Sequence, residues 1–535
     1  MKPRFFHSSD SARHVMGCLF CLWLFSGCMT TGFHTPGPGD LEKYIPLQID
    51  APVDGVETFE FTQQNPPDPV TAPAGQAKDL TLSVEQAVML ALAHNQDLKT
   101  RQLVPVIAGA FEQMEKGRYD PELFAQMYVS KEALSPTDSG DTAVSAAGGI
   151  RKATPWGTTL GVEMAHEQNN TPRTGDTDKT RVTLSVTQAL LQGAGPAGGL
   201  VAIRQSELET RASIHELTAF VQALAAETEI AYWQYVLARQ EHAIVERSLA
   251  VTKKQMADIQ HQIAVGVLPR NELAAIQSEM ARREQALIES GNQVEAFRLT
   301  LLYLIDPGDP GHLDRQVVPA STPVIDPDPV SDIDDRTKLA IKLRPDLAEA
   351  QLRMQQQRLE TIVTYNGLLP RLDFFLDLGI AGFSRRTSDV LQSLDDKDLE
   401  LFAGLSLSRF IGNRPARARH QAALATSQQA RLALENLERT IRLDIRLAVN
   451  EIERSRQQIH ASGITRRSEE QTVQAEIERF NVGASTALLV AQAQRDLLVS
   501  QIAEVRATIN YRIALIRLFL AEGSLLARRG IVFNE

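Results

Sequence analysis

The chain has 535 residues, 43% of them hydrophobic, 23% charged and only 6% aromatic, with a net charge of −11. That apolar content excludes a disordered chain, and the acidic balance argues against a nucleic-acid partner, which calls for basic surfaces. The longest apolar run, Met16 to Phe25, is about half of the ~20 residues that a membrane-spanning helix needs.

All three cysteines lie before residue 29. Lys2, Arg4 and Arg13 precede an apolar stretch from Val15 to Phe25, followed by Ser26-Gly27-Cys28. This order reads as a signal peptide over residues 1–27. The Cys after Ser-Gly resembles the lipobox of bacterial lipoproteins. The resemblance implies cleavage before Cys28, acylation of its thiol and new amine, and a firm lipid anchor. It also implies that Met29, in place of an Asp, allows sorting to the outer membrane. Cys18 and Cys21 form a CxxC only inside the apolar stretch and would leave with it. Cleavage removes Lys2, Arg4, Arg13 and Asp10, so the mature chain is near −13. Residues 28–78 read as an acylated N-terminus and extended linker, with Thr35-Pro36-Gly37-Pro38-Gly39 and Asn65-Pro66-Pro67-Asp68-Pro69.

Residues 79–308 form a first unit. Leu82, Val84, Ala87, Val88, Ala91 and Leu92 recur at helical spacing, with Ser83 placed to cap. The helical pattern stops before Gly117-Arg118-Tyr119-Asp120-Pro121. Leu123, Ala125, Met127 and Val129 then alternate with Glu122, Gln126 and Ser130, predicting a strand over 121–130. Val182, Leu184 and Val186 alternate with Thr183, Ser185 and Thr187, predicting another over 180–190. Between them, Leu160, Val162 and Met164 alternate after a turn-like Thr154-Pro155-Trp156-Gly157. This stretch fits either an added hairpin or a long extracellular segment.

Gly193-Ala194-Gly195-Pro196-Ala197-Gly198 satisfies GxGxxG after a strand and before a helix, the context of a dinucleotide loop. The preceding strand alternates, whereas a dinucleotide-fold strand is apolar on both faces. Pro196 would also obstruct a phosphate cradle. The glycines read better as a strand-to-helix bend. Leu200 to Val265 then runs 66 residues without Gly or Pro. As one helix, 200–265, it spans ~100 Å, a length that suits a coiled coil, a helical array or a tube. Gly266-Val267-Leu268-Pro269 breaks it, and a helix over 270–305 returns.

Residues 309–330 read as a linker, 331–522 as a second unit, and 523–535 as a tail. In the second unit Leu372, Phe374, Leu376, Leu378 and Ile380 flank Asp373 and Asp377, predicting a strand over 371–381. Leu399, Leu401, Ala403, Leu405 and Leu407 alternate with Glu400, Ser406 and Ser408, predicting one over 398–408. A long helix over 415–482 ends at Gly483-Ala484-Ser485-Thr486, and a helix over 485–521 follows. The units are copies. Asp97-Leu98 matches Asp346-Leu347 and Pro121 matches Pro370 at an offset of 249; Gly266 matches Gly483 and Gln277 matches Gln494 at 217.

Alternating segments of ~10 residues mark a membrane β-barrel, although a soluble antiparallel sheet with one wet face alternates too. The long helices and the lipoprotein-like N-terminus favour the barrel. Four strands cannot close alone, since barrels start at about eight, so closure requires an oligomer. No HExxH, P-loop, GxSxG or metal-spaced His pair occurs, and His94, His215, His242, His261, His420 and His460 are scattered. No catalytic residue, metal or cofactor is therefore expected.

The chain resembles the TolC-type outer-membrane efflux proteins. The resemblance rests on Leu82 to Ala87 through Ala93-His94-Asn95-Gln96-Asp97-Leu98, on Tyr119-Asp120-Pro121-Glu122-Leu123 and on Gln188-Ala189-Leu190-Leu191-Gln192-Gly193. In the second copy it rests on Arg344-Pro345-Asp346-Leu347, Leu369-Pro370-Arg371-Leu372 and Val482-Gly483-Ala484-Ser485-Thr486. It implies a mainly α fold with membrane β: an internally duplicated long-helix α-barrel plus β-barrel strands, closed as a trimer with four strands per protomer. It further implies that Gly266, Val267, Leu268, Pro269, Gly483, Ala484, Ser485 and Thr486 form periplasmic tips that dock an adaptor protein. Glu469, Glu470 and Glu476 near the second tip are candidates for an acidic lumen ring favouring cations; they also suit a solvated helix face. The expected function is that of a passive outer-membrane exit duct, lipid-anchored and spanning, with helices projecting into the periplasm. Its expected partners are its own copies, a periplasmic adaptor, an inner-membrane pump and outer-membrane lipid, with no nucleic acid. The alternative is a periplasmic adaptor or other lipid-anchored coiled-coil protein without a pore, which would carry one hairpin between small β-domains.

Overall fold

The computed structural model describes residues 61–63, 79–132, 141–171, 175–305, 311–325, 332–384 and 398–533, all within the compact unit Thr58–Glu535. The signal peptide, Cys28 and most of the expected linker lie outside the described residues.

In chain order, β1 (Phe61–Gln63) and β2 (Asp79–Leu82) lead into α1 (Val84–His94) and α2 (Gln96–Gly117). A capping box starts α1: the Ser83 hydroxyl accepts from Gln86 N at 3.2 Å, and the Gln86 side chain accepts from Ser83 N at 2.9 Å. Such a cap contributes ~1 kcal/mol. Asn95 separates the two helices and caps the second, accepting from Leu98 N at 3.0 Å. Four strands follow: β3 (Glu122–Glu132), β4 (Asp141–Ala153), β5 (Thr158–Thr171) and β6 (Gly175–Ala189). After a helical turn at Pro196–Gly199 come α3 (Val201–Ala264) and α4 (Glu272–Ile305).

The expected linker 309–330 contains a further strand, β7 (Gln316–Pro319), which pairs in parallel with β2. The second copy comprises α5 (Ile333–Leu343), α6 (Pro345–Asn366), β8 (Arg371–Ser384), β9 (Asp398–Ser408), α7 (Arg414–Asn481) and α8 (Ala487–Ala521). Gly463 does not interrupt α7. In the tail, a turn of helix at Leu525–Arg528 precedes β10 (Ile531–Phe533), which pairs with β1.

Six strands form one antiparallel sheet in the order β3-β4-β5-β6-β8-β9. Among the described residues, the count of four implied by the family resemblance is therefore corrected to six. The alternation at Leu160, Val162 and Met164 belongs to an added hairpin, β4–β5.

The main core lies where the β2·β7 pair crosses the middle of α3. Tyr232, Trp233 and Tyr235 are buried there with Leu82, Leu98, Leu301 and Ile305. Both tyrosine hydroxyls are satisfied by backbone: Tyr232 donates to Leu82 O at 3.0 Å and Tyr235 to Val317 O at 2.7 Å. The tail is held here by charge. Arg529 donates at 2.7 Å to Glu229, which is fully buried. Burial pulls the Arg529 guanidinium down, but the bond and charge of Glu229 outweigh it and hold it above its usual range.

Candidate functional site

Three features could form a conduit: a two-faced sheet, a row of helices beneath it, and paired tips at the far end.

The register sorts the sheet's side chains into two faces. Leu123 pairs with Ile150, Ile150 with Val162, Val162 with Leu184, Leu184 with Leu378 and Leu378 with Leu401. This face is apolar across all six strands. On the opposite face Glu163 pairs with Thr183, Ala165 with Arg181 and Ser185 with Asp377. The polar face holds a hollow lined by Glu163, Glu167, Lys179, Arg181 and Asp377. Arg181 and Lys179 both lie against Glu400, at 2.5 and 3.8 Å. Apolar side chains on the outer strands are about two thirds exposed (Leu123, 65%), whereas those in the middle are less so (Leu184, 45%). Among the described residues the sheet ends in two open edges, β3 and β9, each 11 residues long.

Beneath the sheet, α2 packs on α3, α3 on α6, and α6 on α7. Polar contacts join these neighbours. Thr210 donates to Glu112 at 3.1 Å, and Gln356 donates to Gln205 O at 3.0 Å and to Glu209 at 2.8 Å. The ends of the row differ in character. Leu103, Val104, Ile107, Phe111 and Met114 are exposed on α2, as are Leu424, Leu432, Leu443, Leu447 and Ile464 on α7. At ~100° per residue each set falls on one side of its helix. The helix row and the sheet therefore end at the same places: α2 with β3, and α7 with β9.

The glycine-rich loop sits at the junction of sheet and helices. Gly195 is the N-cap of the turn begun by Pro196, with φ of 81°. Gly195 N donates to Trp156 O at 3.0 Å. At Gly199 a Cβ would lie 2.1 Å from Pro155 O, so only glycine permits this approach. The loop is shaped to hold backbone, and the GxGxxG spacing reflects that packing.

The tips have one geometry written twice. Gly266 has φ of 79° and Gly483 of 78°, with open space where a Cβ would point. Val267 N donates to Gln262 O at 2.9 Å and Gly266 N to Ile263 O at 3.1 Å. Ala484 N donates to Arg479 O at 2.8 Å and Gly483 N to Phe480 O at 3.0 Å. Both are Schellman motifs, in which a left-handed glycine lets the last carbonyls of a helix be satisfied. Thr486 caps α8, as its hydroxyl accepts from Leu489 N. Ser485 donates to Glu476 at 2.6 Å. The tips pack together: Leu268 joins Ile259, Ile276, Phe480 and Ala487 in a small core. Glu272 accepts from Ala487 N at 2.9 Å, joining the start of α4 to the start of α8. Val267 and Val482 remain exposed at 70% and 79%. Pro269 O accepts from Glu272 N at 3.2 Å.

Among the acidic residues above the second tip, Glu470 is paired with Arg466 at 2.6 Å and Glu476 with Arg479 at 2.7 Å. Glu469 is half-buried on the same helix. Among the described residues no group of three or more His, Cys, Asp or Glu could hold a metal ion. No described helix is long and apolar enough to cross a membrane.

Residues 337–524 match the family model described as outer membrane efflux protein. No curated protein sequence matches the chain significantly. Among solved structures, a membrane protein from Pseudomonas aeruginosa is 20% identical, with a TM-score of 0.64 over 84% of this chain and 92% of that one. The Campylobacter jejuni CmeC outer membrane channel is 17% identical, with a TM-score of 0.63 over 83% and 86%. The outer membrane protein VceC from Vibrio cholerae is 16% identical, with a TM-score of 0.64 over 82% and 96%. Residues 337–524 thus carry an outer membrane efflux protein segment, and the chain as a whole shares the fold of these solved membrane proteins.

Proposed function

We propose that the protein is the outer-membrane exit duct of a tripartite efflux or export system, a passive channel built from three copies of the chain. The coincidence of the open edges carries this reading. The α2/β3 edge of one copy meets the α7/β9 edge of the next, joining two 11-residue strands and burying the two apolar helix stripes. Joining unlike edges in a ring is a heterologous, closing contact. The apolar sheet face then meets lipid and the polar face lines water. Cys28 carries lipid that anchors the N-terminus in the same membrane.

The tips dock a periplasmic adaptor, with Gly266 to Pro269 and Gly483 to Thr486 as the contact loops and Val267 and Val482 as their exposed apolar points. Opening is a population shift of the helix pairs at the tips, biased by adaptor binding. An inner-membrane pump drives the cargo. Glu469, Glu470 and Glu476 add negative charge near the mouth. An adaptor would have one helical hairpin; this chain has two, α3–α4 and α7–α8.

Gly483→Val tests the docking loop. A side chain there is strained by the positive φ, which costs ~1–2 kcal/mol locally. Export should fall while outer-membrane assembly, read on an unheated gel, stays intact. Unchanged export would remove this loop from the docking surface.

A further inference from the structure

We infer that the duct opens to the outside through an eighteen-stranded barrel, with the hairpin β4–β5 inserted as two full staves per protomer. The inference rests on the three-copy reading above.

Three observations and one estimate of size carry it. First, the ladders are continuous. β3 pairs with β4 over 11 residues, β4 with β5 over 12, β5 with β6 over 14, β6 with β8 over 12 and β8 with β9 over 11. An extracellular flap would leave β3 paired with β6; here the hairpin separates them. Second, the hairpin keeps the phase of its neighbours. Val144, Ala146, Gly148 and Ile150, with Leu160, Val162 and Met164, lie on the apolar face, while Arg151, Glu163 and Glu167 lie on the polar face. Third, the turn at its lower end is built into the junction. Ala189 N donates to Gly157 O at 2.9 Å, Gly195 N to Trp156 O at 3.0 Å, and Gly199 touches Pro155. The staves therefore start at the same level as the others, and Trp156, 60% exposed, stands where barrels carry interfacial aromatics.

Fourth, the arcs agree. Four helices ~10 Å apart subtend ~40 Å of circumference. Six strands ~4.8 Å apart and tilted by ~40° subtend ~38 Å, whereas four would subtend ~25 Å. By this estimate six strands match the arc of four helices. Around three copies this gives a barrel ~36 Å across between backbones, against ~24 Å for twelve strands at the same tilt. That is the width class of barrels with aqueous channels. The inserted hairpin adds Arg151, Glu163 and Glu167 to the polar wall, so this mouth suits bulky hydrated cargo of mixed charge.

Single cysteines test the placement without disturbing the fold. Ala146→Cys and Val162→Cys should react with a lipid-soluble maleimide, and at least ~10-fold less with a membrane-impermeant one. Ala147→Cys and Ala165→Cys should show the reverse. Equal reaction of all four with the aqueous reagent would overturn the inference and make the hairpin an extracellular flap. Replacing residues 133–174 by a short Gly-Ser turn tests the width, since β3 rises and β6 descends and can pair directly. In planar bilayers, poly(ethylene glycol) of ~10 Å hydrodynamic radius, added on the extracellular side, should enter the full-length channel and be excluded from the shortened one. Conducting channels with the same exclusion limit would refute the wide mouth while leaving the duct standing. Absence of conductance from the full-length protein would instead refute the duct.

Discussion

In the first half of the chain the four principal helices run to 11, 22, 64 and 34 residues; in the second they run to 11, 22, 68 and 35. The strands do not follow suit. The first half gives four strands to the sheet and the second gives two. The contrast has a mechanical reason. Helix length sets the height of a tube wall, so two copies in one wall must agree or their tips would not meet. At ~1.5 Å per residue, a four-residue difference shifts a tip by only ~6 Å. Strand number sets circumference alone, and a hairpin can be added to one copy because it leaves and returns at the same level.

A second contrast lies in burial. α3 has 22 buried residues within the chain, while α7, its counterpart, has 7. The helix α3 is covered on both sides by its own chain, whereas α7 ends the row and waits for a neighbour. The largest effect that sharpens this contrast is on assembly. Ile107→Glu on α2, or Leu447→Glu on α7, puts a charge into the face each helix offers to the next copy. Either should convert the oligomer to monomer on an unheated gel, and retained oligomer would break the edge-to-edge account. Trp233→Ala, in the middle of α3, should lower stability by ~3–5 kcal/mol. Leu443→Ala on α7 should change the unfolding of the dissociated chain by less than ~0.5 kcal/mol. Thermal unfolding in detergent compares the two.

The first half also carries an ion pair in which both partners are buried. Arg283 on α4 is 2% exposed and lies 3.1 Å from Glu279. Burial pulls its guanidinium below the usual range, and Glu279 only partly offsets this. Glu279→Ala should therefore cost ~3 kcal/mol, and Glu279→Met with Arg283→Met should recover most of the loss. A loss in the double variant as large as in the single would contradict the desolvation argument. The smallest effect is at Glu112 on α2. The hydrogen bond from Lys116 holds its carboxyl below the usual range against the opposing effect of burial. A depressed carboxyl stabilises above its unfolded pKa, and that stability is lost as pH falls through its folded value. Glu112→Gln should flatten the acid limb of the melting profile by no more than ~0.5 kcal/mol, and an effect confined to neutral or alkaline pH would contradict the assignment.

Much of this was legible in the sequence because it is local. Runs without Gly or Pro foretold the rods, glycines with a helix on either side foretold the tips, and Ser83 caps the helix that it was placed to cap. The strand β4 was not legible. Val144, Ala146 and Gly148 on its apolar face alternate with Ser145, Ala147 and Gly149, so small residues on both faces blur the alternation. The strand β7 was hidden inside an expected linker because its partner lies more than two hundred residues earlier in the chain. Glu272 escaped notice for the same reason, since its contact with Ala487 crosses between the copies. Family resemblance misled on strand number, a quantity that a hairpin insertion changes without disturbing the motifs. The pairing of Glu470 with Arg466 and of Glu476 with Arg479 was open to reading from their helical spacing.

The central claim is that copies of this chain close into a water-filled pore. Single-channel recording of the purified, unheated protein in a planar bilayer tests it most directly. The oligomer should give discrete conductance steps, and none should remain after heat dissociation. A homogeneous oligomer that produces no steps, or a water-soluble monomer, would contradict it.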